Sequence, residues 1–161
     1  MNTDAIRFVS DGESNTRQLA RLIAETLTTG LTLSLNGDLG AGKTFFTRAL
    51  CEALDSDPAL VNSPTFVLMQ LYTDGRIPVA HFDTYRLADS DEFLAIGAAE
   101  YLYDPSWLCI VEWAERVTEV LPADRLEINI RHSGEQQREF VIQASGSASL
   151  DMLAALRMRL A

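Results

Sequence analysis

The octet Gly37-Asp38-Leu39-Gly40-Ala41-Gly42-Lys43-Thr44 constrains this chain more than any other stretch. Three glycines in eight residues permit a tight turn, at an entropic cost that a plain connector need not incur. Its flanks supply the context. Before it, Leu31-Thr32-Leu33-Ser34-Leu35 alternates with period two and runs into Asn36, as a strand entering a loop does. After it, residues 43–54 are helix formers with Phe46, Ala49, Leu50 and Ala53 on one face. A strand, a glycine loop closed by Lys-Thr, and a helix fit the pattern G-x-x-x-x-G-K-[ST].

Each residue type in that pattern has a physical task. Without a Cβ, Gly37, Gly40 and Gly42 let the backbone approach an anion closely. Their amides, with those of Asp38, Leu39, Ala41, Lys43 and Thr44, can form an anion nest at a helix N-terminus. Lys43 is placed to reach β- and γ-phosphates, and the Thr44 hydroxyl to ligate magnesium. The expectation is a P-loop that binds ATP with Mg2+. No N-K-x-D segment for reading guanine occurs in the chain.

The remaining elements read as an α/β chain with a mixed sheet. A first strand is predicted over 6–9. A helix carrying Leu19, Leu22, Ile23, Thr26 and Leu27 follows, with Ser10, Asp11 or Ser14 as its cap and Gly30 as its stop. Strands over 66–72 and 77–82 form a hairpin across Thr73-Asp74-Gly75-Arg76. A helix starts at Ser90 and stops at Gly97, and a buried strand spans 108–111. A second hairpin joins 126–130 to 140–142, and the tail over 150–160 is helical. The tail's apolar face reads as packing rather than as a docking arm.

Hydrolysis needs further metal ligation and a positioned water. Two acids end apolar strands: Asp83 after Phe82, and Glu112 after Leu108-Cys109-Ile110-Val111, which has the form of a Walker B strand. Strands buried between helices deliver their last residues to the sheet's carboxyl edge, where the P-loop lies. Asp83 is the less secure of the two, because a hairpin strand is less tied to the sheet's centre. Either acid can be the direct magnesium ligand. Thr65 falls in a loop that could sense the γ-phosphate, and Trp113 reads from its type as core.

The net charge of −10, from 23 acidic and 13 basic residues, argues against direct binding of RNA or DNA. Any role in nucleic-acid metabolism would run through a protein partner. Cys51 and Cys109 lie in apolar surroundings and read as small buried hydrophobes, not as a disulfide or a metal pair. No signal-peptide pattern and no membrane-length apolar run is read, so a cytoplasmic setting is the expectation.

Four blocks together resemble the TsaE family, the small ATPases of bacterial tRNA threonylcarbamoyladenosine biosynthesis. They are the octet, Ser63-Pro64-Thr65-Phe66, His81-Phe82-Asp83-Thr84-Tyr85-Arg86-Leu87 and Val111-Glu112-Trp113. Phe45 departs from the second threonine often found there. The resemblance implies one P-loop domain over 1–161, with a mixed, mainly parallel central sheet flanked by helices. It implies ATP hydrolysis that is weak for the chain alone, with Glu112 at the metal–water site and Asp83 in a segment needed for activity. Thr65 falls in the switch-like loop, and Trp113 and Arg86 become candidates for nucleotide or partner contact. It also implies partners of the TsaD and TsaB type, with tRNA engaged only through that complex and no membrane or DNA. Two other functions use the same motifs. One is a switch in which ATP occupancy, not hydrolysis, controls docking. The other is a small-molecule kinase, disfavoured because no arginine-rich lid is evident.

Overall fold

The computed structural model describes residues 5–62 and 68–161. Its strands are β1 (Ile6–Ser10), β2 (Thr32–Asn36), β3 (Met69–Tyr72), β4 (Val79–Asp83), β5 (Leu108–Glu112), β6 (Arg125–His132) and β7 (Arg138–Ala144). They form one sheet in the order β1-β7-β6-β2-β5-β4-β3. The central four, β6, β2, β5 and β4, run parallel, while β1, β7 and β3 are added antiparallel at the margins. The expected mixed, mainly parallel centre is present.

The helices are α1 (Glu13–Thr26), α2 (Lys43–Ala53), α3 (Ser90–Ala95), α4 (Ala99–Leu102) and α5 (Ser147–Leu160). Leu19 and Ile23 of α1, Phe46 and Leu50 of α2, and Leu153 and Leu156 of α5 pack with Leu33, Leu35, Ile110, Ile128 and Ile142 of the sheet. Phe93 of α3 and Leu102 of α4, with Leu87 and Val117, pack with Ala80, Phe82, Cys109 and Val111. Two apolar layers on opposite faces of a sheet make a three-layer structure. Every residue of β4 and β5 is buried, as strands covered on both faces must be.

Several boundaries differ from the sequence reading. Helix α1 is capped by Gly12 with no side-chain cap. Ser10 is instead engaged with the Gly12 carbonyl and the Thr16 hydroxyl, the Asp11 amide donates to Asn15, and Ser14 lies inside the helix. The helix ends at Thr26, so Gly30 is not its stop. Gly30 marks a close approach, since a Cβ there would fall 2.1 Å from the Trp107 carbonyl oxygen. The first hairpin forms, but β3 begins at Met69, because Leu68 bends out of the strand at φ 67°, and residues 66–67 lie outside the described residues. Strand β4 begins two residues later than 77 and includes Asp83.

More consequentially, β4 is an inner strand, paired parallel to β5 on its far side. The weaker tie assigned to Asp83 is therefore corrected. Helix α4, four residues long, is too short to show a helical period and was not anticipated. Helix α5 starts at Ser147, earlier than the predicted 150, and Arg159 pairs with Glu25 at 2.9 Å. Both cysteines are buried, and burial pushes each thiol up to about 12. Among the described residues, no helix is long and apolar enough to cross a membrane.

Candidate phosphate-binding site

Strands β2, β5 and β4 are parallel neighbours, so their carboxyl ends share one edge of the sheet. Register aligns Leu35 with Glu112, and Glu112 with Asp83. The loop from β2 to α2 crosses that same edge. Gly37 sits at φ +155°, and a Cβ there would meet the Ile130 carbonyl oxygen at 2.5 Å. Gly42, which caps α2, sits at φ +108°, a conformation that disfavours side chains. With no side-chain cap on α2, the first-turn amides are left to an outside acceptor. The helix dipole adds positive potential at that point.

A cleft of about 390 Å³ opens there. Leu39, Gly40, Gly42, Lys43, Thr44 and Phe45 line one side, and Asp83, Tyr85, Arg86, Glu112 and Trp113 the other. Lys43, Thr44, Asp83 and Glu112 are thus brought together from three segments, as the sequence predicts, and Trp113 joins them against the reading from its type. Ala41 is buried in the core layer, and Asp38 is exposed. Thr65 lies outside the described residues.

Lys43 is buried and folded back on its own loop. Its ammonium donates to the carbonyls of Gly37 at 2.5 Å and Asp38 at 3.0 Å, and lies 4.0 Å from the centre of the Trp113 ring. Burial lowers its pKa, with Glu112, Glu115, Asp83 and Asp38 pulling the other way. A cation held below its ordinary value gains from an arriving polyanion.

The Thr44 hydroxyl donates to Glu112, 3.1 Å from Oε1 and 3.4 Å from Oε2. Donation leaves the oxygen's lone pairs available to a metal. Glu112 Oε2 also lies 2.5 Å from His81 Nε2, and His81 Nδ1 lies 3.1 Å from the Tyr72 hydroxyl. Asp83 Oδ1 accepts from the Tyr85 amide at 2.9 Å, and the Thr84 hydroxyl donates to the carbonyls of Glu112 and Trp113. Thr84 thereby ties the ends of β4 and β5. Two carboxylates on adjacent strands beside a hydroxyl suit Mg2+, which binds through one or two carboxylates and substrate phosphates.

Trp113 is not core. It adopts a left-handed backbone, φ 59°, that turns its ring over Lys43 and 4.9 Å from the Tyr85 ring. Tyr85 was not singled out, although its position two residues after Asp83 was the available signal. Arg138 was missed for want of any signal. It arrives from β7 and donates to the Ala41 carbonyl at 3.1 Å, bracing the loop from behind.

The family model for threonylcarbamoyl adenosine biosynthesis protein TsaE matches residues 10–140, spanning all of these groups. The chain belongs to the TsaE family. A TsaE protein of Bacillus subtilis (strain 168) is 42% identical over 132 residues, covering 82% of this chain and 81% of its own. One from Nostoc sp. is 35% identical over 150 residues, covering 91% and 90%. The crystal structure of Bacillus subtilus YdiB superposes with a TM-score of 0.80 at 31% identity, over 98% of this chain and 97% of that one. The TsaE likeness therefore extends to the margins of the fold, beyond the four sequence blocks.

Proposed function

We propose that this protein binds and hydrolyses Mg·ATP in the cleft at the N-terminus of α2, and through that cycle supports threonylcarbamoyladenosine modification of tRNA. The observation that carries the reading is the convergence of Lys43, Thr44, Asp83 and Glu112 around one uncapped helix end. The tRNA role is supported by what the TsaE relatives are named for. Partners of the TsaD and TsaB type follow from the family resemblance. The acidic surface fits a protein that meets tRNA only through such a complex. Two buried, unpaired thiols suit a reducing cytoplasm.

In this reading the loop amides hold the phosphates, and Lys43 exchanges the Gly37 and Asp38 carbonyls for phosphate oxygens. Thr44 and one of the two acids would hold Mg2+, with the other acting through water, and the bound ion would supply Lewis-acid stabilisation of charge on the phosphoryl oxygens. Glu112 orients the attacking water. A second cleft, of about 180 Å³, adjoins Ala41 and Gly42 and is lined by Gly12, Thr16, Phe45, Arg138 and Phe140. We assign the adenosine to it.

Titration calorimetry beside a phosphate-release assay tests the reading. Lys43→Ala should lose binding or turnover, and Glu112→Ala should keep binding while losing most hydrolysis. Unchanged turnover in Glu112→Ala would remove its role.

A second reading, a docking switch set by ATP occupancy, is favoured by the cleft rim. Leu39 is 79% exposed and Tyr85 45%, an apolar edge on which a partner could sense a bound nucleotide. If a non-hydrolysable analogue supports repeated modification cycles, the switch is correct and the hydrolytic cycle is not.

A further inference from the structure

The alternation of β4 sets His81 on the same face as Asp83, in the layer otherwise formed by apolar residues such as Val79 and Ile110. Its side chain is fully buried. A buried imidazole is costly unless its nitrogens are hydrogen-bonded, and an aliphatic residue would pack this layer without that requirement. Here both nitrogens are engaged. Nε2 faces Glu112 Oε2, and Nδ1 faces the Tyr72 hydroxyl, which donates onward to Gln70 Oε1 at 2.6 Å. Register places Gln70 and Ile110 on either side of His81. The polar row Gln70, Tyr72, His81, Glu112, Thr44 thus crosses three strands and ends at the first turn of α2.

The end of that row shows what it does. A glutamate has three side-chain torsions and two equivalent oxygens, so an unheld carboxylate turns freely. Here Oε2 is taken by His81, and Oε1 is the oxygen nearer the Thr44 hydroxyl. We propose that His81 is a positioning residue for the reaction in the P-loop cleft, fixing the Glu112 rotamer so that Oε1 is presented beside Thr44. Tyr72 and Gln70 lock the imidazole from behind. The same logic governs metal sites, where an outer hydrogen bond orients each ligand. The inference rests on the Mg·ATP reading of the cleft.

The test uses the full chain, with steady-state phosphate release and calorimetric titration of Mg·ADP. His81→Leu should lower kcat by about 10–100-fold, the usual cost of losing such an outer partner, and change KM and Mg·ADP affinity by less than about threefold. His81→Gln places an amide donor near the Nε2 position and should recover about tenfold of that loss. Tyr72→Phe keeps the ring volume and should lower kcat by a few-fold, which keeps the proposal testable if His81→Leu fails to fold. Wild-type kcat in His81→Leu, or in Tyr72→Phe where His81→Leu does not fold, would overturn the proposal. So would equal losses in kcat, Mg·ADP affinity and melting temperature that His81→Gln does not repair, because that pattern marks a merely structural histidine. Wild-type protein without turnover would defeat the hydrolytic reading itself and this inference with it, so the two failures are told apart by the wild-type control.

Discussion

Lys43→Met separates a lysine held for its ligand from a lysine that holds the fold. In the free protein the ammonium donates to two loop carbonyls and faces the Trp113 ring, yet burial still outweighs the attraction of Glu112, Glu115, Asp83 and Asp38. The charge is a net burden in the folded state below its lowered pKa. Methionine fills the buried stem without that charge, and the partly exposed loop can hydrate its carbonyls. Unliganded stability should therefore stay within about 1 kcal/mol of wild type or rise. Ligand binding should behave oppositely. Wild type at a hundred times its Kd for Mg·ATP gains about 2.7 kcal/mol. For a chain of this size that is a rise in Tm of roughly 5–11 °C. Losing a charge-assisted contact worth about 2.7 kcal/mol lowers affinity about a hundredfold. The same ATP concentration then adds only about 0.4 kcal/mol, or roughly 1 °C. Thermal melts with and without Mg·ATP read both effects. A free variant weakened by more than about 2 kcal/mol, or one that keeps the full ATP shift, would refute the reasoning.

Asp83→Asn keeps the oxygen that accepts from the Tyr85 amide but removes the charge, so the fold should persist while the Mg2+ concentration for half-maximal turnover rises about tenfold or more; an unchanged requirement would place Asp83 outside the metal site. Cys51 and Cys109 are raised from 9.0 to about 12, so their contribution is complete below pH 9 and lost as pH climbs to 12. Urea titrations should show stability falling by roughly 2–3 kcal/mol per pH unit above about pH 9.5, a slope that Cys51→Ala with Cys109→Ala should flatten. Phe46→Ala removes a fully buried ring 5.6 Å from Phe140 and should cost about 3–5 kcal/mol by chemical denaturation. A loss under about 1 kcal/mol would mean that the layer between α2 and the sheet can collapse onto the gap.

Legibility in the sequence followed the range of the forces involved. The loop between β2 and α2 was readable because its chemistry is local: glycines for backbone approach, then Lys43 and Thr44 at fixed offsets. Period-two and helical patterns likewise revealed β2, α2 and the β6–β7 hairpin, and the unbroken apolar run Leu108-Cys109-Ile110-Val111 revealed β5 as a strand buried on both faces. Position within the sheet was not readable for β4. The hairpin turn at residues 73–76 discloses the β3 side, while pairing with β5 depends on residues some thirty positions away. Trp113 misled for a related reason. A large aromatic after a buried strand reads as core, and only the backbone turn at φ 59° redirects it to the cleft. Arg138 approaches the loop from almost a hundred residues downstream, with nothing local to betray it.

The pairing of Asp83 with Glu112 across adjacent parallel strands has a mechanical consequence. Ladder bonds and the Thr84 clasp hold the two acids at one interstrand spacing, about 4.8 Å. That half of the cleft behaves as a rigid anvil. The opposing half hangs on a glycine loop and one helix end, joined to the acids' side by the Thr44 hydroxyl on Glu112 and by the Lys43 ammonium over the Trp113 ring. Contact that shifts the glycine loop is therefore felt at Glu112 and Trp113 through those two links.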